Sequence, residues 1–364
     1  MVFFFVSFQT SLSTSQYNVI DECWRSDPNW EHNRMKLADC AAGFGSRANG
    51  GKGGRIYTVT SSDDNPANPE PGTLRHASTL RGAVWIIFAR DMQIQLKLPL
   101  FVSSHTTIDG RGASVTISNG ACIRVSNVRH IIIHGLTIHD CWESSPGHVL
   151  ISKARGVVNI YQQDGDAISI ESSRDVWIDH NTLSHCADGL VDVTLGSAAI
   201  TVSNNRFFSH NEVMLLGNSD SDLVDKHMRV TVAFNHFGPG LMQRMPRARL
   251  GYVHVVNNYY EPWGIYAIGG TSNPTILSQA NVFVAPDDYT KKQVTQHKDN
   301  SYSSSVWRSK RDLFLKGAYF EQSGEGKKIP MYRRGERFRV EKAKFVPVLT
   351  KDAGALLCVR NRPC

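Results

Sequence analysis

Short runs of β-branched and aliphatic residues recur along the middle of this 364-residue chain, and each run ends in Gly or Asn. The seven runs occupy residues 107–110, 131–135, 176–181, 200–205, 230–235, 253–258 and 276–281. Their last residues follow one another at steps of 25, 46, 24, 30, 23 and 23. We interpret the step of 46 as two coils, with the skipped run near residues 157–159.

A period of 23 to 30 residues, with several short strands per period and no amphipathic helix, predicts a repeat fold. The fold class that it favours is all-β, a single-stranded right-handed parallel β-helix. Leucine-rich repeats need a ladder of leucines, which is absent, and propeller blades need about 40 residues or more. The terminal Asn residues tolerate left-handed backbone and bond to their neighbours, so stacked coils could form an Asn ladder.

The repeat also predicts one main domain, although the length alone suggests two. We divide the chain into a shortened signal-like segment (1–16), an N-terminal cap (17–75), the β-helix core with the active site (76–285) and a C-terminal segment packing on the helix (286–364). The last segment is more polar and loses the repeat, as expected if it covers the open end of a solenoid.

The net charge of +7 favours a polyanionic partner: nucleic acid, an anionic membrane surface or an acidic polysaccharide. The chain lacks a block of five like charges and an interleaved aromatic and basic pattern, which argues against nucleic acid. It also lacks 18 consecutive apolar residues, so we predict no membrane span. We expect a monomer.

Seven cysteines suit an oxidising compartment and, with the signal-like segment, predict secretion. Local pairing would join Cys23 with Cys40, Cys122 with Cys141 and Cys358 with Cys364, leaving Cys186 over. The spacing also fits unpaired buried thiols.

Four aspartates form a candidate metal site. Asp164 and Asp166 lie two residues apart and would share one face of an extended chain, as would Asp188 and Asp192. The pairs are 24 residues apart, about one coil, so they should stack. Clustered carboxylates repel one another unless a cation lies among them, and oxygen ligands select a hard ion such as Ca²⁺. Alternatively, each Asp-Gly pair is only a turn.

A basic cluster follows the aspartates along the chain, with Arg244, Arg247 and Arg249 in six residues. It could be a solvated charged turn. Beside a Ca²⁺ site, however, guanidinium groups would form a receptor for carboxylates, because arginine offers a bidentate fork.

Five motifs together resemble plant pectate lyases, a family that includes cypress- and cedar-type pollen allergens. They are DGDAI at 164–168, VWIDH at 176–180, VMLLG at 213–217, QRMPRAR at 243–249 and YAIGG at 266–270. The similarity extends from about Asn18 to Pro286. It implies a right-handed parallel β-helix that cleaves de-esterified homogalacturonan (pectin, polygalacturonate) by β-elimination with Ca²⁺, outside the cell or in the cell wall.

The resemblance also implies roles for individual residues. The calcium ligands correspond to Asp164, Asp166, Asp188 and Asp192, the catalytic arginine to Arg244 and a substrate-binding arginine to Arg249, with Arg247 as further support. Asp179 and His180 are read as structural.

One position departs from the family pattern, because the substrate-binding lysine is replaced by Glu212. Either Lys226 supplies the charge or activity is weakened.

Two alternatives stay open. A glycoside hydrolase on the same fold would need two opposed carboxylates about 6.5–9.5 Å apart. A non-catalytic wall-binding protein would keep the fold and lose the activity, and Glu212 favours it.

Overall fold

The computed structural model describes residues 16–297, 305–324, 329 and 331–364. The chain winds into a solenoid in which successive coils contribute strands to three parallel sheets. The signal-like segment lies outside the described residues, except for residue 16. No helix among the residues described is long and apolar enough to cross a membrane.

The strands of the ten-stranded sheet are Arg55–Val59, Val84–Phe88, Thr106–Asp109, Arg129–His134, Arg174–Asp179, Ala198–Ser203, Arg229–Ala233, Tyr252–Val256, Thr275–Gln279 and Val306–Lys310. Those of the eight-stranded sheet are Leu100–Phe101, Ile123–Ser126, Ile168–Glu171, Val191–Thr194, Leu215–Leu216, Arg247–Arg249, Ile268–Thr271 and Thr295–His297. Those of the nine-stranded sheet are Met92–Ile94, Val115–Gly120, Thr137–Cys141, Thr182–Ser184, Arg206–Phe208, His236–Phe237, Tyr259–Tyr260, Val282–Val284 and Leu313–Leu315.

The remaining elements are short. Two further pairs of strands are Gly147–Ser152 with Gly156–Ile160, and His210–Glu212 with Leu241–Gln243. The α-helices are Val19–Trp24, Leu74–Ser78 and Val346–Leu349. The 3₁₀ helices are Arg34–Cys40, Gly43–Gly45, Leu223–His227, Tyr289–Lys291, Arg334–Glu336 and Ala343–Phe345.

The predicted extra coil near residues 157–159 is wrong. Val176 pairs directly with Ile131 in the ten-stranded sheet, so the strands on either side of the long step are adjacent. The additional residues instead form the antiparallel hairpin, where Val149 lies opposite Val158. A β-branched run in a hairpin has the same composition as one in a coil, and for this reason the sequence pattern did not separate them.

The predicted Asn ladder is confirmed at one corner of the solenoid. The side-chain oxygen of each ladder residue accepts a hydrogen bond from the backbone N–H of the residue one coil before it, at 2.8 to 3.0 Å. The ladder consists of Asn181, Asn205, Asn235, Asn258 and Asn281, all fully buried. Since an unpaired buried amide costs free energy, each coil depends on the next.

The coils extend beyond the predicted core of 76–285, from Arg55 to Leu315. Asp312 takes the ladder position in the last coil and accepts a hydrogen bond from the backbone N–H of Asn281 at 2.7 Å. Because that coil ends in Asp rather than Asn, the repeat pattern did not include it.

The terminal segments pack along the side of the solenoid, on the outer face of the ten-stranded sheet. Thr231 accepts a hydrogen bond from the backbone N–H of Phe44 at 3.0 Å and bonds to the hydroxyl of Tyr332 at 2.7 Å. Nearer the C-terminus, the N–H of Gly354 donates to the carbonyl of Asn204 at 2.7 Å. Beyond residue 331 the prediction that the C-terminal segment covers the open end is therefore wrong. Phe338, Val340 and Leu356 pack instead against a cluster that contains Trp85 and Trp177, and they remove its apolar surface from water.

The three predicted disulfides are confirmed, and Cys186 is the free cysteine. Cys23–Cys40 lies in the N-terminal segment, Cys358–Cys364 in the C-terminal one and Cys122–Cys141 within the coils. Burial raises the pKa of the Cys186 thiol to about 12, so this side chain stays a protonated, unreactive thiol.

Candidate functional site

Four aspartates, which we call the acidic cluster, lie where the chain enters the eight-stranded sheet. Asp164 and Asp166 precede the strand Ile168–Glu171, and Asp188 precedes the strand Val191–Thr194, which contains Asp192. The two strands are paired in parallel, as the spacing of one coil predicted. Oxygens of Asp164, Asp166 and Asp188 lie within 4.8 Å of one another.

A glycine holds this cluster together. The backbone N–H of Gly189 donates to a carboxylate oxygen of Asp166 at 2.8 Å. A Cβ atom added to Gly189 would come within 3.0 Å of oxygens of both Asp166 and Asp192. Only the absence of a side chain there leaves the two carboxylates room to face the same space.

The carboxylates raise one another's pKa. Burial, followed by the charges of Asp164 and Asp188, raises the pKa of Asp166 to about 7. Burial and the charge of Asp166 raise the pKa of Asp192 well above its usual range. Burial and the charge of Asp164 likewise raise the pKa of Asp188. Negative charge in this cluster is therefore poorly compensated by the protein itself.

The cluster fits a divalent cation by its donor chemistry. All of its side-chain donors are carboxylate oxygens, the ligands that Ca²⁺ prefers. The close approach of the Asp166 and Asp192 carboxylates at Gly189 and the mutual repulsion of the carboxylates both favour a positive ion.

The four predicted ligands are not equivalent. Asp192 does not belong to the group of three whose oxygens converge, and its side chain is buried. One of its oxygens accepts a hydrogen bond from the backbone N–H of Leu215 at 3.0 Å. Its role as a ligand remains a prediction.

Arg244 lies beside the acidic cluster, and its positive charge opposes the raised pKa of both Asp188 and Asp192. Its backbone is left-handed, with φ of 61°, and a cis Met245–Pro246 bond follows it. Its guanidinium forms an ion pair with Glu212 at 2.6 Å. The side chains of both residues are about one fifth to one quarter exposed, at 18% and 26%.

Arg247 and Arg249 lie in the eight-stranded sheet, two strands beyond the one that contains Asp192. Arg247 is paired with Leu215, whose backbone bonds Asp192, so Arg247 lies in line with Asp192, two coils further on. Burial, together with the positive charges of Arg249 and Arg244, lowers the pKa of Arg247. Arg249 is held by Asp220 at 3.1 Å and by the carbonyl of Gly217 at 3.0 Å.

Lys226 lies elsewhere. It is exposed on the 3₁₀ helix Leu223–His227, where the chain passes from the eight-stranded to the ten-stranded sheet. Glu212 and Arg244 lie at the opposite end of the eight-stranded sheet, where the chain enters it. Lys226 has no ion pair with any residue that the structure describes.

Asp179 and His180, in the hallmark motif, are part of a fully buried network beneath the first helix. His180 bonds Asp21 at 2.9 Å, and Asp179 bonds His134 at 3.0 Å and accepts from Ser203 at 2.6 Å. These contacts agree with a structural role.

The family model described as pectate lyase matches residues 33–310. Pectate lyase 1 of Chamaecyparis obtusa is 56% identical over 352 residues, which cover 95% of this chain and 94% of that protein. The chain belongs to the pectate lyase family. Putative pectate lyase 2 of Arabidopsis thaliana is 53% identical over 349 residues, covering 95% of this chain and 91% of that protein.

A solved structure is equally similar to this member of the pectate lyase family. The crystal structure of the major allergen from cedar pollen has a TM-score of 0.91 and 56% identity, covering 93% of this chain and 99% of that chain. The predicted resemblance and the predicted parallel β-helix are thereby confirmed.

Sequence reasoning missed two residues of this pectate lyase site. Gly189 was read only as a turn residue, and Glu212 only as a departure from the family pattern. One sequence feature could have indicated the ion pair of Glu212 with Arg244. Their separation of 32 residues is close to the local step of 30 between coils.

Proposed function

We propose that this protein is a secreted, Ca²⁺-dependent pectate lyase. It cleaves (1→4)-α-D-galacturonan by β-elimination and leaves a 4-deoxy-galact-4-enuronosyl residue at the new non-reducing end. The observation that carries the proposal is the convergence of three carboxylates beside an arginine cluster, at one end of the eight-stranded sheet. The three disulfides support an extracellular location.

Asp164, Asp166 and Asp188 would hold the metal ion, and the Asp192 carboxylate, which interacts with that of Asp166, would add negative charge to the site. When bound, Ca²⁺ supplies positive charge that stabilises the substrate carboxylate as negative charge develops next to it. Arg247 and Arg249 bind carboxylates of the polymer through bidentate hydrogen bonds. We assign this role to them rather than to Lys226, because they share the sheet face with Asp192.

Arg244, in its neutral guanidine form, accepts the proton from C5 of the galacturonate unit and becomes a guanidinium cation. The electron pair of the C5–H bond forms the C4–C5 double bond, the C4–O4 bond breaks, and the leaving oxygen takes a proton from water. In the structure the guanidinium of Arg244 is occupied by Glu212 at 2.6 Å. The pair therefore has to open when substrate binds, and Glu212 makes this step unfavourable.

The hydrolase alternative fits the site less well. Its two opposed carboxylates would be about 6.5–9.5 Å apart to admit a water molecule. The oxygens of Asp164, Asp166 and Asp188 lie within 4.8 Å of one another, which is too close for that arrangement. The non-catalytic alternative is favoured by one observation, the ion pair that occupies Arg244.

The product identifies the reaction. The protein is incubated with polygalacturonate and Ca²⁺, and the oligosaccharides are analysed by absorbance at the unsaturated-uronate band and by mass spectrometry. A lyase gives products that absorb and are lighter by one water than hydrolysis products. Hydrolysis products would support the hydrolase, and intact polymer would support the wall-binding protein.

A further inference from the structure

A second charged surface lies away from the acidic cluster, where the chain passes from the eight-stranded to the ten-stranded sheet. We call it the basic strip and define it by five arginines. Arg129, Arg174 and Arg229 each begin a strand of the ten-stranded sheet, and Arg47 and Arg333 come from the segments that cover this sheet.

The register of the sheet places two of these arginines side by side and the third two coils further on. Arg174 is paired directly with Arg129 on the coil before it and with Ala198 on the coil after it. Arg229 begins the strand of the following coil. Adjacent strands lie about 4.8 Å apart, so Arg129 and Arg229 are separated by about 14 Å along the solenoid axis.

Arg129 and Arg333 are exposed, Arg229 is half-buried and donates to the carbonyl of Met228 at 2.8 Å, and the other two arginines have an acidic partner. Asp175 is 3% exposed and forms ion pairs with Arg47 at 3.4 Å and with Arg174 at 3.0 Å. The side chains of those two arginines are 55% and 57% exposed. The carboxylate thus lies behind the guanidinium groups and orients them, while their outer edges face solvent.

A second carboxylate near the strip, that of Glu336, also has a hydrogen-bond partner. Glu336, in the 3₁₀ helix Arg334–Glu336, accepts a hydrogen bond from the backbone N–H of Arg333 at 2.8 Å. Five guanidinium groups against the carboxylates of Asp175 and Glu336 leave a net charge of +3 on the strip at neutral pH. Such a surface attracts a polyanion and raises its local concentration.

We propose that the basic strip is a second binding site for polyuronate, which takes a stretch of the polymer outside the groove where cleavage is proposed. The identity of the ligand rests on the proposed function. An extended polyuronate carries one carboxylate on every sugar, and guanidinium groups spread over about 14 Å along the solenoid axis can bind several carboxylates of one polymer chain. Nucleic acid fits less well, because Phe44, which lines the cavity beside Arg47, Arg174 and Arg229, is buried and offers no face for a base to stack on.

The test compares a strip variant, R129Q/R174Q/R229Q, with a control variant of equal charge change, R81Q/R90Q/R362Q, whose arginines are exposed at other places. Binding of long polygalacturonate is measured by sedimentation in the presence of chelator, which silences the acidic cluster. We expect the strip variant to bind about tenfold more weakly than the control variant, because the charged surface no longer concentrates the polymer.

Polyglutamate and a DNA oligomer serve as competing polyanions. Equal affinity of the strip variant and the control variant for polygalacturonate would overturn the proposal. So would an equally large loss of affinity for polyglutamate, or tighter binding of the DNA oligomer to the strip, since either result would make the surface a general or nucleic-acid site.

A second readout separates this proposal from the proposed function. Turnover of trigalacturonate should be unchanged in the strip variant, because a trimer bound at the acidic cluster does not extend to the strip, whereas KM for long polymer should rise. If wild type makes no unsaturated product at all, the proposed function fails, and the binding comparison in chelator still decides whether the strip binds polyuronate.

Discussion

Buried carboxylates occur in two regions of this solenoid, in opposite electrostatic environments. Asp109 and Asp179, on the ten-stranded sheet, are fully buried and surrounded by cationic or hydrogen-bonding partners. Although burial raises their pKa, the charges of Arg111 and Arg34 hold the pKa of Asp109 far below its usual range. His180 and His134 likewise lower the pKa of Asp179. We call these residues and their partners the balanced network.

The acidic cluster has no such balance. There burial and the neighbouring carboxylates act in the same direction, and the pKa of Asp166 rises to about 7. The difference indicates that the two regions have different uses. Where the chain supplies its own counter-charges, buried aspartates join the N-terminal segment to the coils. Where it does not, the carboxylates lack counter-charges, which agrees with the cation site that we propose.

The largest expected effect tests whether Arg244 acts in catalysis or only through its positive charge. Arg244→Lys should lower kcat about 10³-fold and leave KM largely unchanged, because an interaction made only in the transition state is lost. Arg311→Lys is the matched control, since Arg311 is exposed and has the same φ of 61° at another turn. Initial rates at the unsaturated-uronate band give both constants. A parallel loss in both variants would remove Arg244 from the mechanism.

The two regions should respond in opposite directions to removal of a carboxylate charge. Asp109→Asn should lower the free energy of unfolding by about 3–5 kcal/mol, because it leaves Arg111 and Arg34 buried without their partner. Asp192→Asn should raise the stability of the metal-free protein, because it relieves repulsion from Asp166, and should abolish turnover. Urea unfolding in chelator measures both. A loss of stability in both variants would mean that repulsion among the carboxylates does not destabilise the metal-free acidic cluster.

A pH effect tests the covered face of the ten-stranded sheet. Burial lowers the pKa of His254 to about 4, from about 6.5 in the unfolded chain. The folded protein therefore binds fewer protons than the unfolded one between these values. Stability from this group is fully present above pH 6.5 and is lost as the pH falls toward 4, by about 1–3 kcal/mol. His254→Gln should flatten the dependence of the free energy of unfolding on pH between these values, measured by urea unfolding at each pH. An unchanged slope would mean that His254 is protonated in the folded protein.

The smallest effect concerns Glu212. Glu212→Lys should free Arg244, remove a carboxylate that repels the polymer and lower KM for polygalacturonate about three- to tenfold. Screening should reduce this gain at high salt. Glu212→Gln should give an intermediate value, since it opens the ion pair without adding a positive charge. An unchanged KM in both variants would mean that Glu212 does not face the substrate.

The sequence predicted those features that repeat or that stack. The Asn ladder followed from Asn205, Asn235 and Asn258 recurring at one coil position, and the approach of Asp166 to Asp188 followed from their separation by about one coil. The hairpin at 147–160 and the packing of Tyr332 and Gly354 on the sheet could not be predicted, because they depend on tertiary contacts that leave no period in the sequence.

The candidate site likewise combines features that the sequence predicted with features that it did not. The residue types of the acidic cluster and of Arg244 indicated their chemistry. Which oxygens converge, and that Glu212 occupies Arg244, depend on local backbone geometry such as the left-handed φ of Arg244. Spacing along the chain carries little information about such geometry.

Catalysis by this protein should require a cation at the acidic cluster. This requirement is tested by recording absorbance at the unsaturated-uronate band while wild type acts on polygalacturonate. The reaction is followed first with Ca²⁺, then with excess chelator and finally with Ca²⁺ restored. We predict that product formation stops in chelator and returns with Ca²⁺, and that Asp166→Asn shows no recovery. Undiminished product formation in chelator would mean that the acidic cluster acts without a bound cation.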